Sequence, residues 1–431
     1  MKKITKTGHK FIVFEVLISL VLLFVTCENK GEETPSNNYT VIYNKNADDA
    51  TGTMENSTFT VGIPGTLRIN NFVRNNFIFV GWAKTASSTM PEYTDGQSIQ
   101  FISAERTITL YAVWQSHFVE GSTLESKFTR LMSIAQSNTT YIIEINSDDI
   151  LSPKTLSYGA KKDVTIHLKG TGSINKNNGI TYSSPLFTIK SDVTLILDGN
   201  ITILGRVSVD GGTFTMNGGK IYGNTSGYGY LGGNGGVSVS SSGTFTMNGG
   251  EISNNTATGT STGGGGVFVS SGTFTMNDGE ISNNTAIGNG GTYTGSGGGV
   301  FVSSGTFTMN DGEISGNTTT GSGGGVSVSG GTFTMNDGEI SGNTAKSRGG
   351  GVYFLGSKFY KTGGTITGSN STNGNVVKDS VIINNSGHAV YANNINMMSG
   401  SNTTKRKETT AGPGDDLSFV YPSTFSGAWD Y

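Results

Sequence analysis

Gly272-Thr273-Phe274-Thr275-Met276-Asn277-Asp278-Gly279-Glu280-Ile281 decides the fold, because the chain writes this decapeptide almost unchanged five times, beginning at residues 212, 243, 272, 305 and 331. The steps between copies, 31, 29, 33 and 26 residues, vary while the ten residues hold. A constant unit interrupted by a loop of changing length is the signature of a solenoid. Each period carries two more constant pieces, GGGVxV before the decapeptide and SxNT after it. Within TFTM, Phe and Met lie two apart and share one face of a strand, while the Thr residues share the other. By the same alternation both Val of VxV point together, and in GEIS the Ile points inward and the Glu and Ser outward.

The expectation is an all-β fold whose main body, residues 123–398, is a right-handed, three-sided parallel β-helix with three short strands per coil. Stacking then places Phe214, Phe245, Phe274, Phe307 and Phe333 in one interior column and the Met residues two positions on in another, with coils ~4.8 Å apart. The Asn after each Met (Asn217, Asn248, Asn277, Asn310 and Asn336) falls at a corner, where Asn accepts a left-handed backbone and bonds to its copy in the next coil. Degenerate copies at Ile166–Gly170, Leu195–Gly199 and Phe359–Gly364 extend the array to about eight or nine coils. An open stack needs plugs. Ser122-Thr123-Leu124-Glu125 reads as a capping box, and Leu124, Phe128, Leu131 and Ile134 lie on one helical face, so an N-terminal helix is expected over the first coil. Residues 381 to 398 read as a last irregular coil. The tail 399–431, with Phe419, Tyr421, Phe425, Trp429 and Tyr431, either folds back as a cap or dangles.

Upstream, residues 39–115 alternate β-prone runs with turn signals: YTVIYN, STFTV, TLRI, FIFVGWA and ITLYAVW. Tyr39-Thr40-Val41-Ile42-Tyr43-Asn44, Phe77-Ile78-Phe79-Val80-Gly81-Trp82 and Thr109-Leu110-Tyr111-Ala112-Val113-Trp114 resemble the internalin-type B repeat of bacterial surface proteins. That resemblance implies a β-grasp-like spacer or adhesive module and no chemistry. Trp82 and Trp114 each close a strand among apolar neighbours and read as core. Residues 116–122 are a linker to the solenoid.

The N-terminus combines a basic segment, the apolar run of residues 11 to 25, and the single cysteine, Cys27. Fifteen residues, apolar except for Glu15 and Ser19, are few for a bilayer span, so residues 1–26 read as a secretory signal. Phe24-Val25-Thr26-Cys27 resembles a bacterial lipobox, which implies diacylglyceration of Cys27 and a membrane anchor in the cell envelope, with 27–38 as a polar tether. An uncleaved signal anchor, or a plain signal peptide with an incidental cysteine, is the alternative.

Net charge is −3, from 28 Lys and Arg against 31 Asp and Glu; without Lys2, Lys3, Lys6, Lys10 and Glu15 the balance is 24 against 30, or −6. That disfavours nucleic acid as a partner. No Cys/His cluster has metal-ligand spacing, and no cofactor motif is present. Parallel β-helices often host polysaccharide lyases and hydrolases, so the fold alone leaves an enzyme open. The outward acids, Glu251, Glu280, Glu313 and Glu339 with Asp278, Asp311 and Asp337, recur in coil after coil, whereas an active site needs a constellation unique to one height; they read as a solvated face, with weak divalent-cation binding as the minor alternative. The repeat-breaking residues Lys220, Tyr222, Arg206, Lys346, Arg348, Tyr353, His167 and His388 give no carboxylate pair with a nearby base. No catalytic residue is therefore assigned. Phe268 and Phe301 occupy the outward x of VxV in consecutive coils; either they are exposed and grip a glycan or host protein, or the long loops cover them. With Tyr353 and Arg348 they are the candidate ligand-binding residues.

The loops between SxNT and GGGV leave the same corner of successive coils, and this pattern resembles the repeats of polymorphic outer-membrane proteins and related β-helical adhesins. The resemblance implies a non-catalytic adhesin; a carbohydrate-active enzyme or a purely structural envelope protein is the rival. A Cys27→Ser chain is expected to lose incorporation of labelled fatty acid and to leave the membrane fraction; unchanged labelling and fractionation would refute lipidation at this residue.

Overall fold

The computed structural model describes residues 37–100, 106–177, 184–226, 234–259, 263–288, 296–355, 358–378, 387–395, 402–413, 417–420 and 424–426. Cys27, the signal-like segment, most of the tether, and Tyr421, Trp429 and Tyr431 lie outside the described residues. The chain divides into two units, one up to Val73 with Val80–Val113, the other Arg74–Phe79 with the chain from Trp114 onward.

In the first unit, strand Asn38–Asn44 pairs antiparallel with Ser57–Thr60 and parallel with Thr107–Ser116, and Phe77–Ala83 completes a four-stranded sheet. Four of the five β-prone runs are thus full strands. TLRI supplies only the end of Gly65–Thr66, paired with Ser98–Ile99. Trp82 is fully buried against Tyr43 and Phe72, with ring centroids 5.0 and 6.2 Å away, while Trp114 is half-buried.

The second unit is a parallel β-solenoid. Its TFTM strands belong to an 11-stranded sheet, its EIS strands to a nine-stranded one and its VxV strands to a ten-stranded one. Identical residues pair across coils: Phe245 opposite Phe274, Ile252 opposite Ile281, Val267 opposite Val300. The degenerate copies join in register, Val164–Gly170 and Val193–Leu197 preceding Thr213–Met216 in the first sheet. Inside, the predicted Phe column forms a continuous stack. From Phe245 through Phe274 and Phe307 to Phe333 the centroids are 4.7, 4.7 and 4.8 Å apart and the planes lie within 5 to 7° of parallel. Each ring is fully buried, as is the Met two residues on.

Two Asn ladders run along the stack. The predicted one is on the surface: Asn248 Nδ2 donates to Asn217 Oδ1 at 2.9 Å, and the later rungs repeat at 2.8 Å. Its residues, however, are not the left-handed ones. That conformation falls two positions later, on Gly219, Gly250, Gly279, Gly312 and Gly338 with φ between 76 and 105°. At Gly279 a Cβ would also sit 2.6 Å from Met247 Cε, so the corner requires glycine twice over.

The second ladder is buried and belongs to SxNT. Asn255 Nδ2 donates to Asn284 Oδ1 at 2.9 Å and to the Ile221 carbonyl at 3.1 Å, and the Asn255 backbone N–H donates to the same Asn284 Oδ1 at 3.0 Å. Asn284, Asn317, Asn343 and Asn375 continue it. This ladder creates a departure from three strands per coil. Because Asn holds the backbone at the coil repeat, the residues after it pair for a few positions before the loops diverge, giving a six-stranded fourth sheet from Thr225–Ser226 to Val376–Val377. It also explains why Ser253, Ser282 and Ser341, expected outward, are buried: the chain turns sharply just after them, at Asn254, Asn283 and Gly342 with φ of 54 to 64°.

The ends are plugged. Helix Leu124–Ile134 buries Leu124, Phe128 and Leu131, with Phe128 5.6 Å from Phe187. Its capping box is one residue later than expected, Thr123 with Ser126, because Glu125 is taken by the Ser152 N–H and Lys154. At the other end the tail folds back: Asn402–Lys407 and Leu417–Val420 pair antiparallel with the last parallel strands, and Lys361, which ends the Met column, donates to the Gly412 carbonyl at 2.6 Å.

Replacing a buried rung, Asn284→Leu, strands the Asn255 N–H donors and is expected to cost at least about 1–3 kcal/mol. The surface rung Asn277→Ala should cost about 1 kcal/mol or less. Equal losses in denaturant titrations of the two variants would contradict the division of labour between the ladders.

Candidate functional site

The outward residues of the VxV strands form one register column: Ser208, Ser238, Phe268, Phe301, Ser327, Tyr353 and Tyr391. The structure brings the candidate residues together as two separate pairs. Phe268 and Phe301 stack at 5.4 Å and 22°. Tyr353 and Tyr391 stack at 5.8 Å and 13°, with the Arg348 guanidinium 5.1 Å from the Tyr391 centroid. Ser327, fully buried, separates them. Tyr391 was not singled out in the sequence, since no exact repeat marks its coil; only its register opposite Tyr353 identifies it.

Of the two alternatives for the outward aromatics, exposed or covered, burial holds for two of the candidates. Phe301 is 9% exposed and Tyr353 1%, while Phe268 and Arg348 stay partly exposed. The glycine runs lie close against the start of these strands. Each GGG crosses back over the strand it precedes: a Cβ on Gly263 would lie 3.1 Å from Phe268 Cγ, on Gly297 3.0 Å from the Phe301 N, and on Gly349 2.8 Å from the Tyr353 N. Only a chain without side chains can pass so close. Burial raises the Tyr353 phenol above its usual range, with Arg348 acting in the opposite sense.

The other repeat breakers are dispersed. Lys220 Nζ lies 2.6 Å from Glu251, His167 3.0 Å from Asp198 and His388 3.7 Å from Glu408, all in different coils. Bonding from His167 holds the Asp198 carboxyl below its usual range. Burial raises the Glu251 carboxyl, but the bonds from Lys220 and Ser253 more than offset this and leave it low. Burial also lowers Arg206.

On the EIS face the repeated acids line a shallow groove that ends at Thr365 and Pro413. Asp278, Asp311 and Asp337 each turn back to accept the N–H of the following Gly at 2.7 to 2.9 Å, a local turn bond. Among the described residues no three His, Cys, Asp or Glu side chains converge as metal ligands, and no described helix is long and apolar enough to cross a membrane.

Comparisons of the chain with protein-family models, with curated proteins and with solved structures find no match. The residues themselves therefore carry the functional argument.

The Lys220–Glu251 pair gives a pH prediction. A carboxyl held low when folded contributes stability above its unfolded pKa and loses it as pH falls through the folded value. Lys220→Met should therefore narrow the stability difference between roughly pH 3 and pH 7, by about 1 kcal/mol at most for so exposed a pair. Urea titrations at both pH values would show it, and an undiminished difference would contradict the assignment.

Proposed function

We propose that the chain is an exported, lipid-anchored protein of the bacterial cell envelope, whose solenoid is a non-catalytic scaffold for adhesion or ligand binding. The observation that carries this reading is the contrast between constant coils and variable connections. Strands, ladders and corners repeat residue for residue, while the segments between the buried Asn and the glycine run differ in every coil, and they join the solenoid beside the aromatic column. Surface segments placed by a rigid frame are where recognition concentrates. Chemistry on such a frame needs unlike groups at one height, whereas the acids of the EIS face are copies of one another.

Finer features belong to the same proposal. Parallel strands joined by crossovers wind right-handed in nearly every protein, so the coils are assigned that hand, with the three long sheets as its sides. The unit from residue 39 to 115 is assigned as a β-grasp-like B-repeat module that acts as spacer, and Cys27 as the acylated residue.

A carbohydrate-active enzyme is the rival reading. A screen of residues 28 to 431 against glycan arrays and polysaccharides, with and without Ca²⁺, distinguishes them. Binding without turnover is expected, and release of reducing or unsaturated sugar ends would overturn the non-catalytic reading.

A further inference from the structure

The outer face of the TFTM sheet is a different surface from the loop edge, and nothing in the reading above uses it. Two Thr per strand point outward in five consecutive coils, from Thr213 and Thr215 to Thr332 and Thr334. All are at least partly exposed. Their hydroxyls make no hydrogen bond within the described protein. No charged or aromatic side chain interrupts the array; Lys358 and Tyr360 appear only in the coil after it.

Its geometry is unusually regular. Neighbouring strands in most sheets rotate by about 20–25°, which curls the face. Here the Phe rings on the inner side of the same strands stay within 5 to 7° of parallel from Phe245 to Phe333, so the coils stack with little rotation. The same rings repeat at 4.7 to 4.8 Å through these four coils, and the step to the first coil of the array, Phe214 to Phe245, is 5.1 Å at 13°. Along each strand the two Thr are ~6.6–6.8 Å apart. The result is a flat, uncharged, nearly rectangular grid of methyl and hydroxyl groups.

A protein partner is bound chiefly through aromatic or Arg anchors seated in pockets, and this face offers neither. It also lacks an aromatic platform on which a sugar ring would lie. What it does match is a lattice: both grid repeats are close to those of the oxygen positions on a prism face of ordinary ice. Methyl groups in register favour ordered cages in the water above them, and unpaired hydroxyls can join such a layer by hydrogen bonds. We propose that the Thr face of the solenoid is an ice-binding surface, occupied by an ordered water lattice. This is independent of the adhesion reading and of whether Cys27 is acylated.

The test is thermal hysteresis and inhibition of ice recrystallisation by the full chain, beside Thr275→Tyr, which raises a ring from the centre of the grid, and Glu313→Gln on the EIS face. The expected result is activity in the parent chain and in Glu313→Gln, and its loss in Thr275→Tyr with the thermal unfolding transition unchanged. To cover a failure of that variant to fold, Thr275→Val keeps the shape, and Thr246→Lys disturbs a neighbouring coil; loss in either folded chain supports the proposal. No activity in a folded parent chain, or full activity in folded Thr275→Tyr and Thr246→Lys chains, would overturn it.

Discussion

The buried amide ladder from Asn255 to Asn375 is the constraint on which the central coils of the solenoid depend. An amide inside an apolar stack is tolerable only if its donors and acceptor are satisfied, and here each rung is satisfied by the coils on either side. That requirement fixes the coil repeat at hydrogen-bonding distance and forbids a slip of register. The Phe stack obeys the same repeat because it has no freedom to do otherwise. The corner glycines, the fourth sheet and the low rotation between coils are consistent with this one spacing.

Much of the architecture was legible because the array is periodic and alternation by two sorts its side chains unambiguously. Phe274 and Met276 had to face one way and Thr273 and Thr275 the other, and the structure shows them so. The surface ladder through Asn277 was readable for the same reason. What escaped was whatever depends on the path between strands. SxNT was visible as a constant piece, but a polar triplet before a loop looks like a turn, and only the three-dimensional closure of the coil buries Asn284. Likewise Phe301 is outward by alternation and covered in fact, since alternation along a strand says nothing about which backbone crosses above it.

The candidate site was therefore legible in its members and illegible in its state. The sequence picked Phe268, Phe301, Tyr353 and Arg348 as departures from the template, and the structure groups them in two stacks on one sheet face. It could not show how closely the glycine runs pack against the strands that carry them. Those glycines were legible only as a constant piece of the repeat, and the structure adds that each is held against a backbone or ring atom where a side chain would collide. The acids of the EIS face present the opposite case, conspicuous in sequence and locally employed in structure.

The interchangeability of the coils has a consequence for how such a protein changes over generations. Three of the decapeptides are identical and the Phe, Met and Ile columns repeat their residue through the central coils, so along these two sheets the central coils present closely similar surfaces to their neighbours. Gain or loss of one whole central period would leave each remaining Phe, Met and Ile of these columns facing a residue of its own kind. The two terminal caps would not register the change. Length, and with it the distance over which the molecule reaches, is thus a heritable variable that can drift without passing through a misfolded intermediate.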